Sequence, residues 1–290
     1  MRGPGPLPPI VCGVDDGYVL PLRVLMRSIA DAHPGAVDQL RLIVLDQGIS
    51  PGNRRALLAD AGRLGLATQL RPIPAPDPVY PVSGWVSDAV YARLSIPDVV
   101  TEADRVLYLD VDTVVLADLR PLLGLPLRGC PLGAVLDAQN PLVGPGTGMP
   151  GWRALGLPWG REYFNSGVML LDLAACRELG LFERARRFLV EHPDKVRYWD
   201  QDALNHAADD NWLRLEPRWN SVVLSALVRL PGFAHHAEEV NPLARLVAAE
   251  RTAAVLHFAG AAKPWKDGYP AGYPRETYRG FLAGVKTDAS

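Results

Sequence analysis

Cysteine is scarce in this chain: Cys12, Cys130 and Cys176 are the only three among 290 residues, and they are scattered with no C-x-x-C spacing. That excludes a disulfide framework and argues against a thiolate zinc site. Lysine is nearly as rare, with only Lys195, Lys263, Lys266 and Lys286. The excess of arginine, alanine, glycine and proline reads as genomic composition bias and carries no function. Charge of one sign is also missing: the formal net charge is −2, and no Lys/Arg cluster is interleaved with aromatics. Nucleic acid is therefore disfavoured as a partner. No apolar run is long enough to cross a bilayer, and the Gly/Pro-rich stretch Met1 to Pro9 has no apolar signal-peptide core. The expectation is a cytoplasmic, reduced protein with no stable membrane insertion.

What is present is a globular composition, 48% hydrophobic and 21% charged, with material for one large core. Ile10 to Val14 reads as a strand ending in Asp15-Asp16-Gly17, followed by Leu22, Leu25, Met26, Ile29 and Ala30 at helical spacing. Leu40 to Leu45 reads as a second strand. Ser50-Pro51 then caps a helix that closes near Gly65, and Ala67 to Ile73 supplies a third strand. Beyond a proline-dense loop, Val86 to Leu94 looks helical. Leu132 to Leu136 and Phe164 to Leu171 look like strands, Leu181 to Glu191 and Asp200 to Ala208 like helices, and Val255 to Phe258 like a late strand. Between them Asp137 to Glu162 is rich in Gly and Pro and lacks periodicity. Such a loop inside a compact domain suits a substrate lid or acceptor-side role. No internal repeat or linker is visible, so the expected organisation is an N-terminal flexible segment over 1–9, one α/β domain over 10–268 and a tail over 269–290.

The run Arg105 to Val115 carries the strongest chemical signal, because Asp110 and Asp112 interrupt an apolar strand pattern. Two acids one residue apart in extended backbone point to the same side, where one hard cation would offset their repulsion and desolvation. Mg²⁺ or Mn²⁺ with a diphosphate would complete such an oxygen-rich shell. The alternative is a plain strand end entering a turn. The first βα turn excludes another class: Gly13-Val14-Asp15-Asp16-Gly17-Tyr18 places an acid and a Tyr where G-x-G-x-x-G needs glycine, so a dinucleotide dehydrogenase does not fit.

Four separated segments carry polar groups at strand ends: Asp15-Asp16, Asp110 with Asp112, Asp200-Gln201-Asp202, and His257 with Lys263. With Tyr91-Ala92-Arg93-Leu94, Phe164-Asn165-Ser166-Gly167-Val168 and His257-Phe258-Ala259-Gly260-Ala261-Ala262-Lys263-Pro264-Trp265, these motifs resemble glycosyltransferase family 8 in order and rough spacing, from about Ile10 to about Gly268. That family contains retaining nucleotide-sugar enzymes such as bacterial lipooligosaccharide galactosyltransferases and glycogenin. The resemblance implies a GT-A type fold: a mixed, mostly parallel twisted sheet flanked by helices, with a Rossmann-like nucleotide-binding half. It implies a UDP-sugar donor, and Mn²⁺, with Mg²⁺ as the alternative, held by Asp110, Asp112 and His257. Asp15, with Asp16, Gly17 and Tyr18, would meet the nucleoside. Gly260 and Lys263 would meet the diphosphate, Val111 would belong to the donor site between the two acids, and Arg93, Asn165, Asp200 and Gln201 would surround the sugar. Asp137 and the Pro141 to Trp159 loop would face an acceptor, whether glycan, lipid-linked or small molecule. One departure stands out, because relatives commonly carry Asn where Gly17 stands, and glycine offers only its backbone.

The chemistry wants these residue types independently. A leaving diphosphate gathers negative charge, which a metal and a lysine ammonium stabilise more in the transition state than in the ground state. Retention leaves two routes: a carboxylate nucleophile, Asp200 or Asp202, or front-face transfer with Gln201 stabilising the developing positive sugar. The front-face route is the favoured expectation. The rival classes are a sugar-nucleotide pyrophosphorylase or hydrolase, and a catalytically silent glycan-binding relative.

Overall fold

In the computed structural model, residues 6–84, 86–144 and 148–287 are described, so Met1 to Gly5 of the expected flexible segment and part of the expected lid lie outside them. The opening third alternates as its periodicity predicts: β1 (Ile10–Val14), α1 (Val19–Asp31), β2 (Arg41–Asp46), α2 (Pro51–Leu64) and β3 (Ala67–Pro72). The Ser50 hydroxyl accepts from the Asn53 amide, Pro51 occupies the first turn of α2, and Gly65 closes it at φ 68°. These are the cap, start and stop that the local chemistry favours.

The segment expected as a helix over Val86 to Leu94 instead winds more tightly, as a 3₁₀ helix over Asp88–Ser95 continuing into α3 (Ile96–Val99). It lies hard against β1, since a Cβ on Gly13 would come within 2.5 Å of the Ala92 Cβ. A larger difference concerns Arg105 to Val115. The run is not one strand: β4 (Arg105–Leu109) and β5 (Thr113–Val115) belong to different sheets, and Asp110-Val111-Asp112 is the turn between them. Extended-strand alternation is therefore not what brings the two acids together; the turn does so.

The chain continues through α4 (Arg120–Leu123), β6 (Leu132–Leu136), β7 (Phe164–Asp172), α5 (Leu173–Glu178), α6 (Leu181–Glu191) and α7 (Trp199–Ala208). Then follow β8 (Leu213–Arg214), β9 (Ser221–Val222), α8 (Leu224–Leu227), α9 (Leu243–Ala249), β10 (Val255–His257) and α10 (Tyr273–Thr287). The main sheet has seven strands in the order β3-β2-β1-β4-β7-β6-β8, and a small one has the order β5-β10-β9. Within the main sheet only β7 runs against its neighbours. Alternation along β4 sends Val106 and Tyr108 into a core shared with α6 and α7, and Leu107 and Leu109 into one shared with α1 and α2. Helices thus cover both faces, as a largely parallel sheet requires. The stretch set apart as a tail is mostly α10, which packs back with Tyr278 and Val285 buried beside α1's Val24. Its interrupted Gly/Pro lead-in had hidden that apolar face.

This topology builds the cleft. The carboxyl ends of β1, β4 and β6 deliver Asp15, Asp110 and Asp137 to one edge of the sheet. Because β7 is antiparallel, its beginning, Asn165 and Ser166, arrives at the same edge. In open α/β sheets ligands bind outside the strand carboxyl ends, where the strand order reverses.

Candidate active site

A cleft of about 300 Å³ opens at that edge. Its lining includes Asp15, Tyr18, Arg93, Asp110, Val111, Asp112, Asp137, Asn165, Asp200, Gln201, His257, Gly260 and Lys263, so residues named from seven separate stretches of sequence do converge. Asp16, Gly17 and Asp202 are not among the lining residues. Asp16 accepts from the Ser50 amide and the Asn53 side chain and so braces the start of α2. The Asp202 carboxylate is wholly buried and accepts from the Tyr163 hydroxyl and the Arg197 and Tyr198 amides. It steadies the turn into α7, where Trp199 is held at φ 48°. The structure does not bring it to the cleft as a nucleophile.

One end of the cleft is acidic. Asp110 Oδ1 accepts from the Arg93 guanidinium at 2.7 Å and the Tyr108 hydroxyl at 2.8 Å. Asp112 Oδ2 pairs with the Lys263 ammonium at 2.5 Å. What remains is Asp110 Oδ2, Asp112 Oδ1 and His257 Nε2, with the imidazole nitrogen 3.8 and 3.3 Å from the two oxygens. The three side chains offer ligand atoms within 4.8 Å of one another, which fits a single divalent ion with mixed O/N donors. Burial alone would raise the Asp112 carboxyl, yet Lys263 and His257 hold it well below the usual carboxylate range. Gly167 permits the crowding: a Cβ there would lie 2.3 Å from His257 Cε1 and 2.9 Å from Asp110 Oδ2.

The other end is built from amides. The Gln201 carboxamide accepts from the Ser166 amide at 3.0 Å and donates to Asp137 Oδ2 at 3.2 Å. Asn165 donates to the same oxygen, while Asp137 Oδ1 accepts from the Gln139 and Asn140 amides. Asp200, 2% exposed, takes the Ser166 hydroxyl and the Arg93 guanidinium. Burial pushes its carboxyl up to about 6 in spite of Arg93. At the far wall Asp15 accepts from the Ser87 hydroxyl at 2.6 Å and the Tyr18 amide at 3.2 Å.

Sequence reasoning did not single out Ser87, Tyr108, Ser166 or Asn220. Tyr108 lies within the Arg105 to Val115 run and Ser166 within the Phe164 to Val168 motif, where Asp110 and Asn165 carry the stronger chemical signal. Ser87, in a loop, and Asn220, in a single short 3₁₀ turn, have no local signature, and only the fold reveals them.

Comparison with known proteins decides what this cleft belongs to. Residues 9–268 match the model of glycosyl transferase family 8. The chain belongs to that family. Among solved structures, the galactosyltransferase LgtC in complex with donor and acceptor sugar analogs superposes with a TM-score of 0.78 at 27% identity, covering 95% of both chains. The sheet and its flanking helices are thus a GT-A fold. General stress protein A of Bacillus subtilis is 28% identical over 96% of this chain and 93% of its own. A lipopolysaccharide 1,2-glucosyltransferase of Escherichia coli is 30% identical, over 56% of this chain and 44% of the enzyme. As a family 8 member the chain is a glycosyltransferase, and the family implies a nucleotide-sugar donor and a glycan acceptor. Among the described residues no helix is long and apolar enough to cross a membrane.

Proposed function

We propose that this protein transfers a hexosyl group, galactose or glucose, from a UDP-sugar to an acceptor hydroxyl with retention of anomeric configuration, and that it does so in the cytoplasm with Mn²⁺ bound. The observation that carries the reading is the triad of Asp110, Asp112 and His257 opening into the same cleft as Lys263 and Gln201. A bound Mn²⁺ would supply positive charge at the diphosphate as the glycosidic bond breaks. Lys263, now spent on Asp112, is placed to share that task with its ammonium. Arg93 fixes Asp110 and Asp200 at once, so one guanidinium ties the phosphate end to the sugar end.

Two observations support the front-face route over double displacement. Asp202, a candidate nucleophile, spends its carboxylate on protein donors away from the cleft. Asp200 faces the cleft but is engaged by Arg93 and Ser166 and disfavours ionisation. In the route proposed, the departing diphosphate oxygen takes the acceptor proton, and the carboxamide oxygen of Gln201 steadies positive charge on the sugar ring. Asp15 and Tyr18 would receive the nucleoside, and Gly260 the diphosphate. Asp137, saturated by four donors, serves the acceptor side by holding Gln201 and Asn165.

The test is purified protein with Mn²⁺ and a panel of UDP-sugars. Slow UDP release from UDP-galactose or UDP-glucose, quickened by an acceptor from cell extract and abolished by EDTA, is the expected result. UTP formation from pyrophosphate would replace this reading with a pyrophosphorylase, and inverted product would remove the front-face route.

A further inference from the structure

Asn220 lies outside the cleft lining, 4% exposed, in the 3₁₀ turn Pro217–Asn220 just before β9. β9 runs parallel to β10, with Val222 opposite His257, and this pairing sets the Asn220 side chain behind the imidazole. Its Oδ1 is 2.9 Å from His257 Nδ1, and its Nδ2 donates to Asn165 Oδ1 at 2.8 Å. We propose that Asn220 is a positioning residue that fixes the ring and tautomer of His257 so that Nε2 is offered to the cation. The proposal rests on the metal reading given above.

The chemistry of the neighbouring groups fixes each amide orientation in turn. The Gly167 N–H can only donate, and it points at the Asn165 side chain at 3.0 Å, so that atom is the carbonyl oxygen. Asn165 then turns its NH₂ to Asp137, which suits a carboxylate. Asn220, facing the same Asn165 oxygen, must present its NH₂ there and its own oxygen to His257. The imidazole nitrogen next to that oxygen must carry hydrogen. Nε2 is thereby the nitrogen that faces Asp110 and Asp112, and a metal bound there would take its lone pair in place of the proton it otherwise shares with Asp112. A partner behind a ligating histidine commonly changes metal affinity by about 10- to 100-fold. Using an amide in place of a carboxylate holds the tautomer without adding negative charge to a site that already has two acids.

The experiment measures Mn²⁺ binding to the full chain without nucleotide, by the electron paramagnetic resonance signal of the free ion. Asn220→Ala should weaken Mn²⁺ by about 10- to 100-fold, and turnover should climb back toward wild type as Mn²⁺ is raised, a recovery that a general packing defect would not show. Asn220→Asp, which keeps an acceptor on Nδ1, should bind Mn²⁺ more tightly than Asn220→Ala. Unfolding in EDTA reports on folding, and Asn220→Ser, which withdraws the acceptor but keeps a polar group, replaces Asn220→Ala if that variant does not fold. Unchanged Mn²⁺ affinity in Asn220→Ala, or equal loss in the Asp and Ala variants, overturns the proposal and leaves the metal reading intact. A wild-type chain that binds no Mn²⁺ overturns the metal reading itself.

Discussion

The two ends of the cleft solve opposite problems. At the acidic end, Asp110, Asp112 and His257 turn three acceptor atoms toward one point, and only part of their capacity is met, by Arg93, Tyr108 and Lys263. At the amide end, every contact named for Asp137, Asn165 and Gln201 is a donor matched to an acceptor. Unmet acceptors in a buried site call for a cation. Met ones hold a fixed shape, which is what a group that must stabilise charge without reorganising requires. The acidic end is therefore expected to respond to ions and the amide end to geometry.

The largest expected effect tests the first half of that contrast. Asp110→Ala combined with Asp112→Ala should remove Mn²⁺-dependent UDP release by roughly 1,000-fold, since both cation binding and phosphate stabilisation go with it. Retained Mn²⁺-dependent release would end the metal reading. At the other end, Gln201→Ala should lower kcat by about 100-fold with Mn²⁺ affinity unchanged. If Gln201→Ala instead altered Mn²⁺ binding, the two ends would not be separable.

Asp200 gives the contrast a pH dependence. Burial lifts its carboxyl from 3.8 to about 6, and its ionised form is the one that pairs with Arg93. Activity should fall by about tenfold per pH unit below that value as the pair is lost. The stability effect has the opposite sign. Between 3.8 and about 6 the folded chain holds this proton and the unfolded chain does not, so the group's contribution to stability decreases as pH rises through that window. A pH–rate profile and unfolding curves at the same pH values check both directions; an acid limb unchanged in Asp200→Asn would remove Asp200 from the account.

Lys263 separates ion from nucleotide. Its ammonium pairs with Asp112, the carboxylate a metal would use. Lys263→Met should therefore weaken UDP by about tenfold, the worth of a charge-assisted contact, while Mn²⁺ alone binds no more weakly than to wild type. Loss of both affinities together would mean that Lys263 supports the ion and does not compete with it.

Much of this was legible in the sequence, for reasons that differ by region. The β/α alternation up to β3 follows from periodicity and from the Ser50-Pro51 and Gly65 signals, which act over a few residues. The acids and His257 were visible because charge inside apolar runs is costly and so conspicuous. What could not be read is anything set by long-range pairing. The break at Asp110 that sends β5 to another sheet depends on β10, over 140 residues away in sequence. The burial of Asp202 depends on Tyr163, and Asn220 reaches His257 only because β9 lies beside β10. The apolar face of α10 was likewise hidden until α1 was there to receive it.

The smallest expected effect lies at the wall proposed to receive the nucleoside, where Gly17 offers only its backbone. Asp15 is steadied there by the Ser87 hydroxyl, contributed by a loop 72 residues away in sequence, and by the Tyr18 amide. The hydroxyl thus acts by fixing the carboxylate rather than by touching the base. Removing one neutral donor from a part-buried carboxylate costs about 1 kcal/mol, or roughly fivefold. Ser87→Ala should raise the donor KM by about that factor with kcat unchanged, because the contact orients the nucleoside and does not change as the glycosidic bond breaks. Steady-state kinetics with varied UDP-sugar at saturating Mn²⁺ decide it. A change in kcat instead would mean that nucleoside placement feeds into the chemical step, and that the cleft's two ends are coupled through the donor that spans them.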